Sequence, residues 1–96
     1  MFIIIVRYKK DLAEVDRYLS EHRAYLDDKL NEGILITSGP QTPRIGGVIM
    51  INADSRAAAE AFVNGDPFHI HEIADYELVE FTATKACDPT LLQLLK

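Results

Sequence analysis

The feature that most constrains the fold is the continuous apolar run near the start of the chain, Phe2–Val6. Most of its members are β-branched, and no polar residue interrupts it, whereas a strand with one wet face would alternate apolar and polar positions. The run therefore predicts a β-strand buried on both faces. It is far too short to cross a bilayer, and it lacks the basic lead and the small-residue cleavage site of a signal peptide.

The next stretch predicts a long amphipathic helix that starts near Asp11. Apolar residues recur there at spacings of three and four as far as Leu30, with charged residues between them. Gly33 follows and is expected to take the left-handed conformation that ends a helix. A second helix is predicted after the capping residues Asp54-Ser55, with Phe62 and Val63 as its core anchors.

That second helix is expected to stop at Gly65, because Pro67 prevents its continuation and leaves the carboxylate of Asp66 pointing out of a turn. Three further apolar segments predict strands: Ile34–Thr37, which Ser38-Gly39-Pro40 closes, Val48–Ile51 and Tyr76–Phe81. The order strand, helix, strand, strand, helix, strand favours an α+β, ferredoxin-like βαββαβ sandwich with a four-stranded antiparallel sheet.

Two helices cover only one face of such a sheet, yet the first and third strands are apolar on both sides. The open face is therefore expected to pack against a second copy, as a homodimer. A 96-residue chain has apolar surface for one core, so a single domain over 1–96 is expected, with 88–96 an apolar C-terminal extension. That extension could add to the dimer interface, dock on its own domain or support a larger assembly.

Composition narrows the partners and the compartment. The formal charge is -5 and no basic run exceeds Lys9-Lys10, which disfavours nucleic acid and anionic membranes as partners. Cys87 is the only cysteine, so neither an intramolecular disulfide nor a cysteine zinc cluster is possible, and the cytoplasm is the expected compartment. Cys87 itself has only Lys85 as a basic neighbour and is interpreted as incidental.

With that topology, three short motifs together resemble the YciI-like family, a branch of the dimeric α+β barrel proteins. They are His22 within His22-Arg23-Ala24-Tyr25-Leu26, then Ser38-Gly39-Pro40, then Asp66-Pro67-Phe68. The resemblance implies a dimer formed sheet to sheet and an active site in which His22 meets Asp66. The family is similar to chloromuconolactone dehalogenases and, more distantly, to muconolactone isomerases.

His22 stands on the apolar stripe of the first helix, where leucine is expected, so its ring should point toward the sheet. One interpretation is a core histidine satisfied by a backbone carbonyl. The other is an acid-base dyad in which Asp66 holds one ring nitrogen and the second nitrogen exchanges a proton near neutral pH. Asp66 has a structural alternative too, since Gly-Asp-Pro is a common helix exit whose carboxylate accepts from nearby backbone N–H groups.

Other residues are candidates for binding a substrate. Ser38 and the N–H of Gly39 are placed to donate to a substrate oxygen, and Arg7 to neutralise a carboxylate, although arginine at a strand exit is more often simply solvated. Pro40, Pro67 and Phe68 would form an apolar wall, or serve only the fold. His69 and His71 lie two apart and imitate a metal site, but we expect surface or pocket-rim histidines and no bound metal or cofactor.

The leading hypothesis is a small cofactor-independent enzyme of the lyase, isomerase or dehalogenase type. It would act on a small organic acid or lactone by proton transfer through His22 and Asp66. The alternative is a non-catalytic dimer that binds a metabolite or a partner protein, with the same two residues as a structural pair. Solvent access to the His22 ring separates the two hypotheses.

Overall fold

The computed structural model describes residues 1–95. Its strands are β1 (Phe2–Tyr8), β2 (Leu35–Pro40), β3 (Gly46–Ile51) and β4 (Ala74–Glu80), and its helices are α1 (Leu12–Asn31), α2 (Arg56–Gly65), α3 (Pro67–Ile70) and α4 (Pro89–Leu94). The four strands form one sheet in the order β2-β3-β1-β4, with every neighbouring pair antiparallel. The predicted α+β, ferredoxin-like fold is confirmed.

Strand β1 lies inside the sheet, between β3 and β4, and its alternate residues Phe2, Ile4 and Val6 are buried. Phe62 and Val63 of α2 pack into the same core, as predicted from their place in the sequence. Burial of each such side chain contributes about 1.5 to 3 kcal/mol relative to exposure, which explains why the long apolar run defines the centre of the fold.

The opposite face of the sheet carries apolar side chains beside the charged pair Arg7 and Glu77, and it is more exposed than the core face. Ile3 pairs with Met50 on one side and Val79 on the other, and Ile5 pairs with Val48. Val48 and Val79 are each 40% exposed. The sheet therefore presents a row of apolar side chains on the face opposite the core, as the apolar pattern of β1 and β3 predicts.

Helix ends follow the sequence signals closely. The side chain of Asp11 accepts from the backbone N–H of Glu14 at 3.0 Å, and that of Ser55 accepts from Ala58 at 3.1 Å. Both are N-caps, which satisfy amide donors that the first turn leaves unpaired. Gly33 has φ of 80°, the left-handed conformation expected after α1.

Two local predictions need correction. Strand β2 continues through Ser38 to Pro40 instead of closing at Ser38, which is possible because β2 is an edge strand and a proline there interrupts no ladder on its free side. The chain after Gly65 is also not simply a helix stop. Pro67 ends α2 but occupies the first position of a new short helix, α3, where its missing N–H costs nothing.

The C-terminal segment forms α4, which Asp88 caps by accepting from the N–H of Thr90 at 2.7 Å. None of the α4 residues is buried, and Leu94 is 58% exposed. Lys96, the last residue of the predicted extension, lies outside the described residues. Within residues 1–95 no helix is both long and apolar enough to span a membrane.

Candidate functional site

The centre of the site is the corner between α2 and α3, which buries Asp66 completely. Its backbone N–H donates to Val63 O at 3.1 Å and ends α2, while its side-chain Oδ1 accepts from the N–H of Phe68 at 3.0 Å and caps α3. The sequence predicts an acid that points out of a turn. Instead, the carboxylate caps α3 and points inward, where it contacts His22 of α1.

A buried carboxylate is stable only when hydrogen bonds replace its hydration. Asp66 has three donors: Nδ1 of His22 at 2.7 Å and the N–H of Phe68, both to Oδ1, and the hydroxyl of Tyr76 at 2.7 Å to Oδ2. An ionised carboxylate can only accept, so with Asp66 ionised the hydrogen bond to His22 requires the proton on Nδ1. In a neutral ring, Nε2 then carries the free lone pair.

The ring of His22 stacks face to face on the ring of Phe68. The two rings stack at a centroid distance of 4.0 Å with an interplanar angle of 4°, and the His22 side chain is 12% exposed. Among residues 1–95 we find no hydrogen-bond partner for Nε2, yet this atom is not sealed from solvent. The orientation of the ring is therefore fixed by Asp66 and Phe68, and its second nitrogen is available.

Tyr76 and Tyr25 complete the surroundings of Asp66 and were not predicted. Burial, followed by the negative charge and the hydrogen bond of Asp66, raises the pKa of Tyr76 above its ordinary value. The Tyr25 hydroxyl donates to Phe62 O at 2.7 Å, and burial together with the charge of Asp66 raises the pKa of Tyr25 to about 12. A side chain at Gly65 would approach that hydroxyl to 2.7 Å, so this position favours glycine.

A cleft of about 530 Å³ opens beside the His22 ring, between α1 and the strands β1, β2 and β3. Five predicted site residues line it: His22, Ser38, Gly39, Pro40 and Phe68. The structure thus brings together residues from three distant parts of the sequence, and it places Asp66 directly behind His22. Their roles in binding and catalysis remain predictions.

The other two predicted substrate-binding residues lie elsewhere. Arg7 extends from the opposite face of the sheet, where its guanidinium bonds to Glu77 at 2.9 Å. Because successive residues of a strand point to opposite faces, Arg7 cannot share the cleft that Val6 and Tyr8 line. Pro67 begins α3 and is not among the residues that line the cleft.

Charged residues at the cleft were missed by the sequence analysis. Arg44, from the loop between β2 and β3, bonds to Asp16 of α1, and both line the cleft together with Arg23. The hydrogen bond from Arg44 lowers the pKa of Asp16, and the charge of Arg23 lowers it further. Asp16 and Arg23 lie seven residues apart, which places them on one side of α1 and would have been the available signal.

Gln41 also lines the cleft, and its side-chain oxygen is buried without a hydrogen-bond partner in the described part of the chain. That oxygen would lie 2.9 Å from a side chain added at Gly46. Most buried side-chain oxygens have a partner, so this one marks an incompletely satisfied position in the wall of the cleft.

His69 and His71 lie outside this cleft. His71 stacks on Tyr18 at 4.0 Å and approaches Glu21 at 3.7 Å, while His69 contacts the edge of Tyr76 and lines a second groove of about 310 Å³. Across positions 1 to 95, no group of three or more histidine, cysteine, aspartate or glutamate side chains is arranged to hold a metal ion.

Comparison with known proteins identifies a matching family and a solved structure of similar fold. The profile of the YCII-related domain family matches residues 1–82. A solved structure of 5-chloro-2-hydroxyhydroquinone dehydrochlorinase (TftG) from Burkholderia phenoliruptrix AC1100, in complex with 2,5-dihydroxybenzoquinone, is similar to this chain with a TM-score of 0.70. It is 19% identical, and the similarity covers 84% of this chain and 93% of that chain, which shows a shared fold. No curated protein sequence matches this chain significantly.

Proposed function

This chain belongs to the YCII-related domain family, and from that premise we propose that it is a small cofactor-independent enzyme of the lyase, isomerase or dehalogenase type. It moves a proton to or from a carbon atom of a small organic acid or lactone. The observation that carries the proposal is the position of the His22 ring, between the buried carboxylate of Asp66 and an open cleft. His22 is the proposed acid-base group, and Asp66 is its positioning partner.

The protonation of the pair supports this assignment of roles. Nδ1–H donates to Asp66 Oδ1, so the lone pair of a neutral ring is on Nε2, the atom left for a substrate. Nε2 removes a proton from a carbon next to a carbonyl group. The electron pair of the broken C–H bond moves to the carbonyl oxygen, where the Ser38 hydroxyl donates to the developing charge.

Two outcomes of this step conserve atoms and charge. If the protonated His22 returns its proton to a different carbon, the double bond has moved and the reaction is an isomerisation. If the electron pair instead expels a halide from the neighbouring carbon, the proton leaves His22 for water and the reaction is an elimination. The similar fold of TftG, a dehydrochlorinase, supports the second outcome for this chain as well.

One observation favours the alternative of a non-catalytic binding protein. Asp66 is completely buried and has three donors, which is what a purely structural carboxylate also requires. The access of the His22 ring to the cleft supports catalysis, because a structural pair needs no opening to solvent.

Substitution of His22 tests the mechanism. We first screen small organic acids and lactones by thermal shift against the wild type and His22→Ala, and then measure turnover of the ligands that bind. General acid-base groups contribute about 100-fold to 10,000-fold, so kcat should fall by that factor in His22→Ala while binding changes much less.

The matched control is His71→Ala, which removes an exposed histidine outside the cleft and should retain the wild-type kcat. Full turnover by His22→Ala or by Asp66→Asn on an identified substrate would rule the mechanism out. Ligand binding without turnover of any compound in the screen would favour the binding protein.

We also propose that the apolar face of the sheet forms a homodimer. The paired side chains of Ile3, Met50 and Val79, with Ile5 and Val48 beside them, make an apolar surface across three strands, and such surfaces are typical of interfaces. Sedimentation at low micromolar concentration should give the mass of two chains, and Val48→Lys should give one. A monodisperse wild-type monomer would contradict the proposal.

A further inference from the structure

We propose that Arg23 and Arg44 form an anion subsite at the cleft, which selects a ligand with a carboxylate group, and that Asp16 occupies Arg44 until such a ligand displaces it. The inference rests on the proposed function only in taking this cleft as the ligand site. It assigns a second chemical requirement to the ligand, besides the carbon that His22 would deprotonate.

The charges at the cleft differ from those of the whole chain. The chain carries a formal charge of -5, yet the cleft is lined by two arginines and a single acidic residue, Asp16. The planar guanidinium of arginine matches the two oxygens of a carboxylate, and two such groups line this one cleft. Arg23 has no ion-pair partner within 4.0 Å in residues 1–95.

The bond between Asp16 and Arg44 is of a kind that a ligand can replace. The side chains are 55% and 38% exposed, so water screens their attraction and the pair contributes little to stability. The contact with Asp16 also shows that Arg44 can donate to a carboxylate in this position. A ligand carboxylate inside the cleft would replace one such contact with another and add the attraction of Arg23.

Apolar side chains share the lining of the cleft with these charged residues. They include Leu19, Leu26 and Ile49, so a ligand that carries an apolar ring beside its carboxylate suits this lining.

A pair of ring compounds that differ in charge tests the subsite. Benzoate and its neutral analogue benzamide are titrated by calorimetry at low salt into the wild type, Arg23→Gln, Arg44→Gln and Asp16→Asn. The wild type should bind benzoate at least about tenfold more tightly than benzamide, since a charge-assisted contact is worth that factor. Each arginine variant should lose about tenfold for benzoate and nothing for benzamide.

Asp16→Asn should bind benzoate several-fold more tightly than the wild type, because the competing carboxylate is gone. Arg17→Gln on the same helix is the control: it removes one positive charge outside the cleft, where Arg17 contacts Glu14, and should leave both affinities unchanged. Circular dichroism before each titration confirms that the variant is folded.

Each remaining outcome overturns the inference. Equal affinity for benzoate and benzamide, or an equal loss in Arg17→Gln and Arg44→Gln, would exclude an anion subsite. Weaker benzoate binding by Asp16→Asn would show that Asp16 orients Arg44 and does not compete. The titrations do not depend on turnover, so the subsite can stand if the His22 mechanism fails, and the mechanism can stand if the subsite fails.

Discussion

Two carboxylates lie beside the same cleft, one buried and one exposed. Asp66 lies behind His22 with its side chain completely buried, and it accepts three hydrogen bonds. Asp16 lies at the cleft surface with its side chain 55% exposed, and it pairs with Arg44. The first is held by two helices and a strand, whereas the second joins one helix to one loop.

The comparison shows that burial decides whether a carboxylate keeps its partner or can exchange it. Removing one partner of a buried ionic contact leaves the other uncompensated in a region without water, so the contact is seldom broken. An exposed pair exchanges with water and ions at small cost. The buried pair can therefore fix the geometry of His22, and the exposed pair can give way to a ligand.

The largest expected effect comes from removing each carboxylate in turn. Asp66→Ala should lower the free energy of unfolding by about 3 to 5 kcal/mol, because it leaves His22, the Phe68 N–H and the Tyr76 hydroxyl without their acceptor. Asp16→Ala should leave that free energy unchanged within error. Urea unfolding of both variants measures the difference, and equal losses would show that burial does not distinguish the two sites.

A smaller effect is expected from Tyr76→Phe, which removes a single donor to Asp66 and keeps the ring. A hydrogen bond to a charged group contributes about 1.5 to 3 kcal/mol, so this variant should lose less stability than Asp66→Ala. A double-mutant cycle with Asp66→Ala should show that the two losses are not additive. Additive losses would mean that the hydroxyl stabilises the protein by another route.

The same tyrosine predicts a dependence on alkaline pH. The folded state raises the pKa of Tyr76 and Tyr25, so it favours their protonated hydroxyls. That contribution is complete below the ordinary tyrosine pKa of about 10, and it is lost as the pH rises through the folded value, about 12 for Tyr25. Stability should fall less steeply above about pH 10 in Tyr76→Phe than in the wild type, as measured by urea unfolding at several pH values.

Sequence patterns were sufficient for the fold because local and long-range signals agreed. The period of α1, the capping residues Asp54-Ser55 and the apolar run in β1 each specify one element. The order of those elements leaves few arrangements of the sheet. The end of β2 and the start of α3 were missed because proline was taken as a stop in both places, although an edge strand and a first helical turn both accept it.

The site was only half predictable for a physical reason. His22 could be found because a polar ring interrupts an apolar stripe, and Asp66 because an acid stands at a helix exit. Tyr76 could not be distinguished from an ordinary strand residue, because its role depends on where its hydroxyl ends in three dimensions. Arg44 lies in a loop, and loops have no sequence periodicity from which their neighbours could be predicted. Its contact with Asp16 is therefore seen only in the folded chain.

The shared oxygen of Asp66 connects the hydrogen bond of His22 to the backbone. Oδ1 accepts both from Nδ1 of His22 and from the amide of Phe68. When the ring gains or loses a proton, the electron density on that oxygen changes, and the amide bonded to it experiences the change. The nitrogen chemical shift of Phe68 in a solution NMR spectrum should thus follow the state of a side chain 46 positions earlier in the sequence, without a label on the histidine and without a substrate.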